Sequence, residues 1–217
     1  MNPIENMKAY RFLASFALAC LSAATWAGAG SENRFGSIHI DGKKAGQIHY
    51  TIEYGETGDV ETLRTRASLS ILGIRLFNFE QTLHEVWHRG ELRQFRSRTD
   101  DSGRNYDAAL SRGTEVYRGS LNSAPIELPD RAFPASVWHY RIVDRTLLFD
   151  LKDLKLLNVK TTRASETIAL SNGKRIPAER FDFSGDWRAT VWFDQKRELV
   201  RFKYVVDGHD VEVRLDE

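Results

Sequence analysis

Apolar and polar residues alternate with a period of two along most of the chain. In Gln47-Ile48-His49-Tyr50-Thr51-Ile52-Glu53-Tyr54, the residues Ile48, Tyr50, Ile52 and Tyr54 share one side, and His49, Thr51 and Glu53 the other. Successive strand side chains point to opposite faces, so the run predicts a strand with one buried and one wet face. At the carboxyl end Val200, Phe202, Tyr204 and Val206 alternate with Arg201 and Lys203, and Val211, Val213 and Leu215 with Glu212 and Arg214. Asp207-Gly208 between them takes the positive φ angles of a tight hairpin. Asn172-Gly173 separates strands predicted over 155–170 and 174–183, and Asp41-Gly42 starts the turn between 35–40 and 45–54. Further strands are read from Leu63 to Ile71, Phe77 to Trp87, Leu92 to Thr99, Arg104 to Leu110, Thr114 to Arg118 and Trp187 to Phe193.

The segment 125–154 breaks this rhythm. It carries Pro125, Pro129 and Pro134, then Ser136-Val137-Trp138-His139-Tyr140, then Leu147, Leu148, Leu151 and Leu154 at near-helical spacing. It reads as a loop with one or two short helices crossing the sheet. The expected fold is mainly β: one antiparallel meander of about ten to twelve strands, whose edges must be paired, closed or covered. A strongly curved sheet or partly closed barrel, capped by 125–154, meets that demand.

Composition adds a compartment. Lys8 and Arg11 precede the apolar run Phe12 to Leu21, and a stretch of small residues ends Ala27-Gly28-Ala29, the order of a secretory signal peptide. A membrane-spanning helix needs roughly 20 apolar residues and this run has about half that. Residues 1–29 are therefore expected to be cleaved, and 30–217 to form one periplasmic or secreted domain with no membrane span. Cys20 stands where a lipobox cysteine would, but Ala17 holds the place of the large aliphatic residue, which favours an ordinary signal-peptide residue. It is the only cysteine, so cleavage leaves no thiol for a disulfide, metal or nucleophile. The formal net charge is +1, and removing Lys8, Arg11 and Glu5 balances it. The Arg-rich stretch from Trp87 to Arg118 is interrupted by Asp100, Asp101, Asp107 and Glu115, and no nucleic-acid partner is expected.

The spacing of several pieces resembles a family of bacterial secreted proteins known as a domain of unknown function. They are Ile40-Asp41-Gly42 with Gly46, Glu85-Val86-Trp87-His88-Arg89-Gly90-Glu91-Leu92, Ser97-Arg98-Thr99-Asp100-Asp101-Ser102-Gly103, Pro134-Ala135-Ser136-Val137-Trp138, Val191-Trp192-Phe193-Asp194 and the Asp207-Gly208 hairpin. Phe193 stands where the family has Tyr, and Glu198 where Gly is common. The resemblance implies a β fold outside the cytoplasm and carries no catalytic residue. A remoter architectural likeness is to periplasmic lipid and lipoprotein carriers, whose curved sheets hold acyl chains.

His84-Glu85-Val86-Trp87-His88 matches H-E-x-x-H, which on a helix binds zinc through both histidines and leaves the glutamate to activate water. Arg89-Gly90 closes a strand straight after it, and Gln94 stands where a third histidine would. His84 and His88 remain the only metal candidates, and no cofactor is expected. Asp100, Asp101, Asn105 and Asp107 read as a polar hairpin, because Gly103 is misplaced for a calcium loop. His139 and His209 have no evident partner.

Trp87, Trp138, Tyr140 and Trp192 are the residues expected to line a pocket between sheet and cap. The leading expectation is a non-catalytic periplasmic binding or carrier protein for a lipid or other apolar ligand. A structural or assembly protein of the envelope, meeting another protein, comes second. A zinc-dependent hydrolase acting through His84 to His88 comes third.

Overall fold

The computed structural model describes residues 30–55, 58–71, 74–170, 172–206 and 208–215. The expected signal peptide, with Cys20, and Asp207 of the last hairpin lie outside the described residues. The described residues form fifteen strands where the alternation predicts about ten to twelve. The first eight are β1 (Ser31–Ile40), β2 (Lys43–Gly55), β3 (Gly58–Ile71), β4 (Ile74–His88), β5 (Glu91–Asp101), β6 (Arg104–Arg112), β7 (Val116–Leu121) and β8 (Ala124–Pro129). Then come β9 (Phe133–Pro134), a 3-10 helix (Tyr140–Asp144), β10 (Leu147–Phe149), β11 (Leu156–Ala169), β12 (Arg175–Gly185), β13 (Ala189–Phe193), β14 (Leu199–Val206) and β15 (His209–Leu215).

All fifteen belong to one sheet, in the order β8-β7-β6-β5-β4-β3-β2-β1-β15-β14-β13-β12-β11-β10-β9. This is chain order with a single wrap, made where β1 pairs with β15, Ile38 opposite Val213. The tight turns come from pairs that tolerate positive φ: Asp41-Gly42 (49° and 77°), Arg89-Gly90 (53° and 74°) and Ser102-Gly103 (54° and 88°). The two edge strands, β8 and β9, are consecutive in the chain. Pro125, Pro129 and Pro134, which break the alternation in sequence, sit on these edges, where a missing N–H removes no ladder bond and discourages another chain from pairing.

The segment 125–154 differs from the expected cap. It contributes three short strands and a single 3-10 helix, and its apolar side chains are core: Phe133, Val137, Ile142, Leu148, Phe149 and Leu154 are all buried. The near-helical leucines form no helix, because Leu148 and Phe149 pair with Leu157 and Leu156 of β11. The chain then turns at Asp150, whose carboxylate accepts from Lys152 N and Asp153 N, and Leu154 takes a left-handed φ of 59°.

Aromatic contacts show what the segment does. Phe149 of β10 meets Phe95 of β5 edge-on at 5.1 Å, Phe133 of β9 meets Trp87 of β4 at 5.3 Å, and Trp138 stacks on Tyr50 of β2 at 4.3 Å. β9 and β10 lie at the opposite end of the strand order from β4 and β5, so the sheet curves round this segment and buries it. Phe95, Phe149 and Phe193 are fully enclosed, and burying each such ring stabilises the fold by about 1.5–3 kcal/mol.

Candidate functional site

Four arrangements of side chains are candidates for function, and the first is the H-E-x-x-H motif. It lies on β4, so its residues alternate between the faces of the sheet instead of sharing one side of a helix. Leu83, Glu85 and Trp87 face the core. His84 faces outward, its Nδ1 3.1 Å from Thr62 Oγ1. Four strand steps separate the two histidine Cα atoms by about 13 Å, too far for one zinc ion bound at about 2 Å from each ring. Among the described residues, no three His, Cys, Asp or Glu side chains are grouped to hold a metal. Glu85 points away from both histidines, so the zinc-hydrolase geometry does not form.

The buried Glu85 has another partner. Its Oε2 accepts a hydrogen bond from Trp87 Nε1 at 2.8 Å and lies 3.4 Å from Nε2 of His139. Oε1 is buried and makes no hydrogen bond. The His139 ring lies 4.0 Å from that of Trp87, centroid to centroid. His139 is therefore not partnerless, as the sequence suggested. Such a pair is half of a hydrolase relay, but the nearby hydroxyl of Ser136 is buried and makes no hydrogen bond, so nothing links it to the ring. The pair instead holds 136–144 against β4. The signal for it was present: the period-two frame through Leu83 and Trp87 puts Glu85 on the core face.

The neighbouring residues of His139 spread over the sheet. Trp138 reaches Tyr50, while Tyr140 meets Phe193 at 5.1 Å and donates its hydroxyl to Glu179 Oε2 at 2.7 Å. The four expected pocket residues consequently do not converge. Trp87, Trp138 and Tyr140 all belong to the main core and pack on different rings, and Trp192 lies on the outer face. There Trp192 packs against Ile168 and Ala178, flanked by the guanidinium groups of Arg180 and Arg201 at 6.0 and 5.8 Å. Its strand neighbours Val191 and Phe193 point inward, so alternation alone excludes it from their face.

A polar cluster occupies one part of the interior. Gln81 Nε2 donates to Thr99 Oγ1 at 3.0 Å and Ser97 Oγ at 3.3 Å, and Lys152 Nζ bonds Asp101 Oδ2 at 2.9 Å. Burial raises the Asp150 carboxyl above its ordinary value. Burial also pushes the Tyr204 hydroxyl up to about 12, with the Asp150 charge adding to the effect. These bonds tie the turn after β10 to β4 and β5. Asp101 thus has the part of a hairpin anchor, and the Asp100 carboxylate accepts Gly103 N at 2.7 Å.

The fourth arrangement was not anticipated. On the outer face a trough of about 1040 Å³ runs across β1 to β6. Register places two rows of outward side chains along it. One is Phe35, His49, Arg64, Thr82, Arg98 and Asp107; the other is Ser37, Gln47, Arg66, Glu80, Asp100 and Asn105. Arg66 is paired with Glu80 at 3.1 Å and Arg98 with Asp107 at 3.7 Å. Phe35, 54% exposed, stacks flat on His49 at 4.3 Å. Each of these residues reads singly as a solvated strand position, and only pairing register brings them into rows.

These features define a mainly β, barrel-like fold wrapped round its own chain. It is similar to the crystal structure of a beta-barrel-like protein of domain of unknown function DUF1849 from Brucella abortus. The TM-score is 0.62, with 7% identity over 87% of this chain and 96% of that one, a likeness of fold alone. The chain belongs to the family described as Domain of unknown function (DUF6134), whose model matches residues 37–216. No curated protein matches the sequence. No helix among the described residues is long and apolar enough to cross a membrane.

Proposed function

We propose that this is a non-catalytic binding domain of the bacterial periplasm and that it binds through the trough across β1 to β6. The observation that carries the reading is the pair of in-register polar rows lining a trough of about 1040 Å³. The interior, where an apolar ligand was expected, holds the protein's own rings instead: Trp138 on Tyr50, Phe149 on Phe95, Tyr140 on Phe193. A lipid would have to displace these buried contacts, whereas a polar ligand in the trough displaces only water. The proline-bearing edges β8 and β9 disfavour the assembly role by strand addition. Periplasmic placement rests on the charged, apolar and Ala27-Gly28-Ala29 segments of the amino terminus.

Native mass spectrometry of the protein taken gently from the periplasm tests this. The expected result is a bound polar species that an Arg64→Gln/Arg98→Gln variant loses. A lipid mass retained by that variant overturns the proposal in favour of the interior carrier.

A further inference from the structure

The trough also has a chemistry that narrows its ligand, on the reading that it is the binding face. Phe35 is exposed yet held in place. One face of its ring lies on His49 at an interplanar angle of 6°, and His49 Nε2 is 3.1 Å from Asn33 Oδ1, which also accepts from Thr51 Oγ1 at 2.9 Å. The phenyl group is thus a preorganised apolar platform at one end of a polar row. Arg64 lies two strands further along that row, about 10 Å away at the usual strand spacing. Arg66 and Arg98 have carboxylate partners, whereas Arg64 has none among the described residues.

The trough crosses strands whose backbone groups pair with one another in the ladders, so only side chains are available to a ligand. That disfavours a peptide, which gains affinity from main-chain bonds to a free edge. Glu80, Asp100 and Asp107 along the rows oppose a nucleic acid, with its charge every ~1.7 Å of duplex. A sugar chain meets each demand: the C–H face of a ring on Phe35, and hydroxyls bonding to Thr82, Gln47 and the paired charges. We infer that the trough binds a mainly neutral linear polysaccharide with an occasional carboxylate-bearing ring, a neutral sugar ring on Phe35 and one carboxylate on Arg64.

Isothermal titration of the mature chain with a neutral cello-oligosaccharide and with the same oligosaccharide carrying one glucuronate ring tests the inference. The glucuronate-bearing chain is expected to bind more tightly and to weaken with salt. Phe35→Ala should weaken both sugars about tenfold, a stacking contact's worth, and Arg64→Gln should weaken the acidic one about tenfold and leave the neutral one unchanged. Both side chains are exposed, so an unchanged melting temperature shows that the fold survives. Equal affinity for the two sugars, indifferent to Arg64→Gln, overturns the carboxylate. Failure of both sugars to bind overturns the glycan, and the trough itself still stands if native mass spectrometry shows a polar ligand lost from the Arg64→Gln/Arg98→Gln variant.

Discussion

The carboxylate of Glu85 on β4 and the imidazole of His139, fifty-odd residues later, approach to 3.4 Å inside the core, with Trp87 bonded to the same oxygen. A buried carboxylate left without its partner is strongly unfavourable. His139→Ala is therefore expected to lower stability by about 3–5 kcal/mol. Glu85→Gln keeps an acceptor for Trp87 Nε1 and removes the charge, so it should change stability by less than about 1 kcal/mol. Urea unfolding of both variants and the double mutant should give a coupling of about 1–3 kcal/mol. Coupling near zero would assign the effect of His139 to its packing on Trp87.

The same strand bears on metal. With His84 and His88 turned away from Glu85, the purified protein should melt at the same temperature with and without a chelator. His88→Ala should leave its zinc content unchanged. A stoichiometric zinc lost in that variant would require β4 to adopt another structure.

Phe193 is fully buried against Tyr140 and Phe181, and Phe193→Ala should cost about 3–5 kcal/mol. Trp138 is partly buried on Tyr50, so Trp138→Ala should cost less, roughly 2 kcal/mol. Neither the wild type nor Trp138→Ala should take up a fluorescent fatty acid. Tight uptake by the wild type that is lost in Trp138→Ala would return the ligand to the interior.

Asp150 makes stability depend on pH. Burial raises its carboxyl in the folded chain, so between the unfolded and folded values the native state binds more protons than the unfolded one. Its contribution thus worsens as pH rises through that window, the reverse of a salt-bridged acid. Asparagine keeps the oxygen that accepts from Lys152 N and Asp153 N. Asp150→Asn should therefore be at least as stable as the wild type at neutral pH, and its melting temperature should fall less on going from acid to neutral. A large loss of stability at neutral pH would show that the charge itself supports the turn.

At the amino terminus, intact mass on envelope fractions should place the mature end between Gly28 and Ser31. A retained Met1 or Met7, or a lipid on Cys20, would replace the signal-peptide reading.

Alternation revealed strands wherever one face is buried and the other wet, because that contrast is written residue by residue. It puts Val191 and Phe193 on one side of their strand, and Asp41-Gly42 and Arg89-Gly90 mark their turns through backbone preference. β9 and β10 escaped it, since a segment enclosed on both sides is apolar throughout and carries no period. The leucines after Thr146 imitate a helix for that reason, and the prolines that suggested a loop were marking sheet edges.

The chain alone determined local conformation and the facing of strand residues, both set by neighbours a few positions away. Register and curvature were decided only in the tertiary structure. Which strand lies beside which makes one row of Phe35, His49 and Arg64, and encloses Glu85 with His139. Such pairings join residues up to 179 positions apart, as between Gly36 and Leu215, and no local pattern encodes them, because they depend on how the whole sheet closes round the segment it buries.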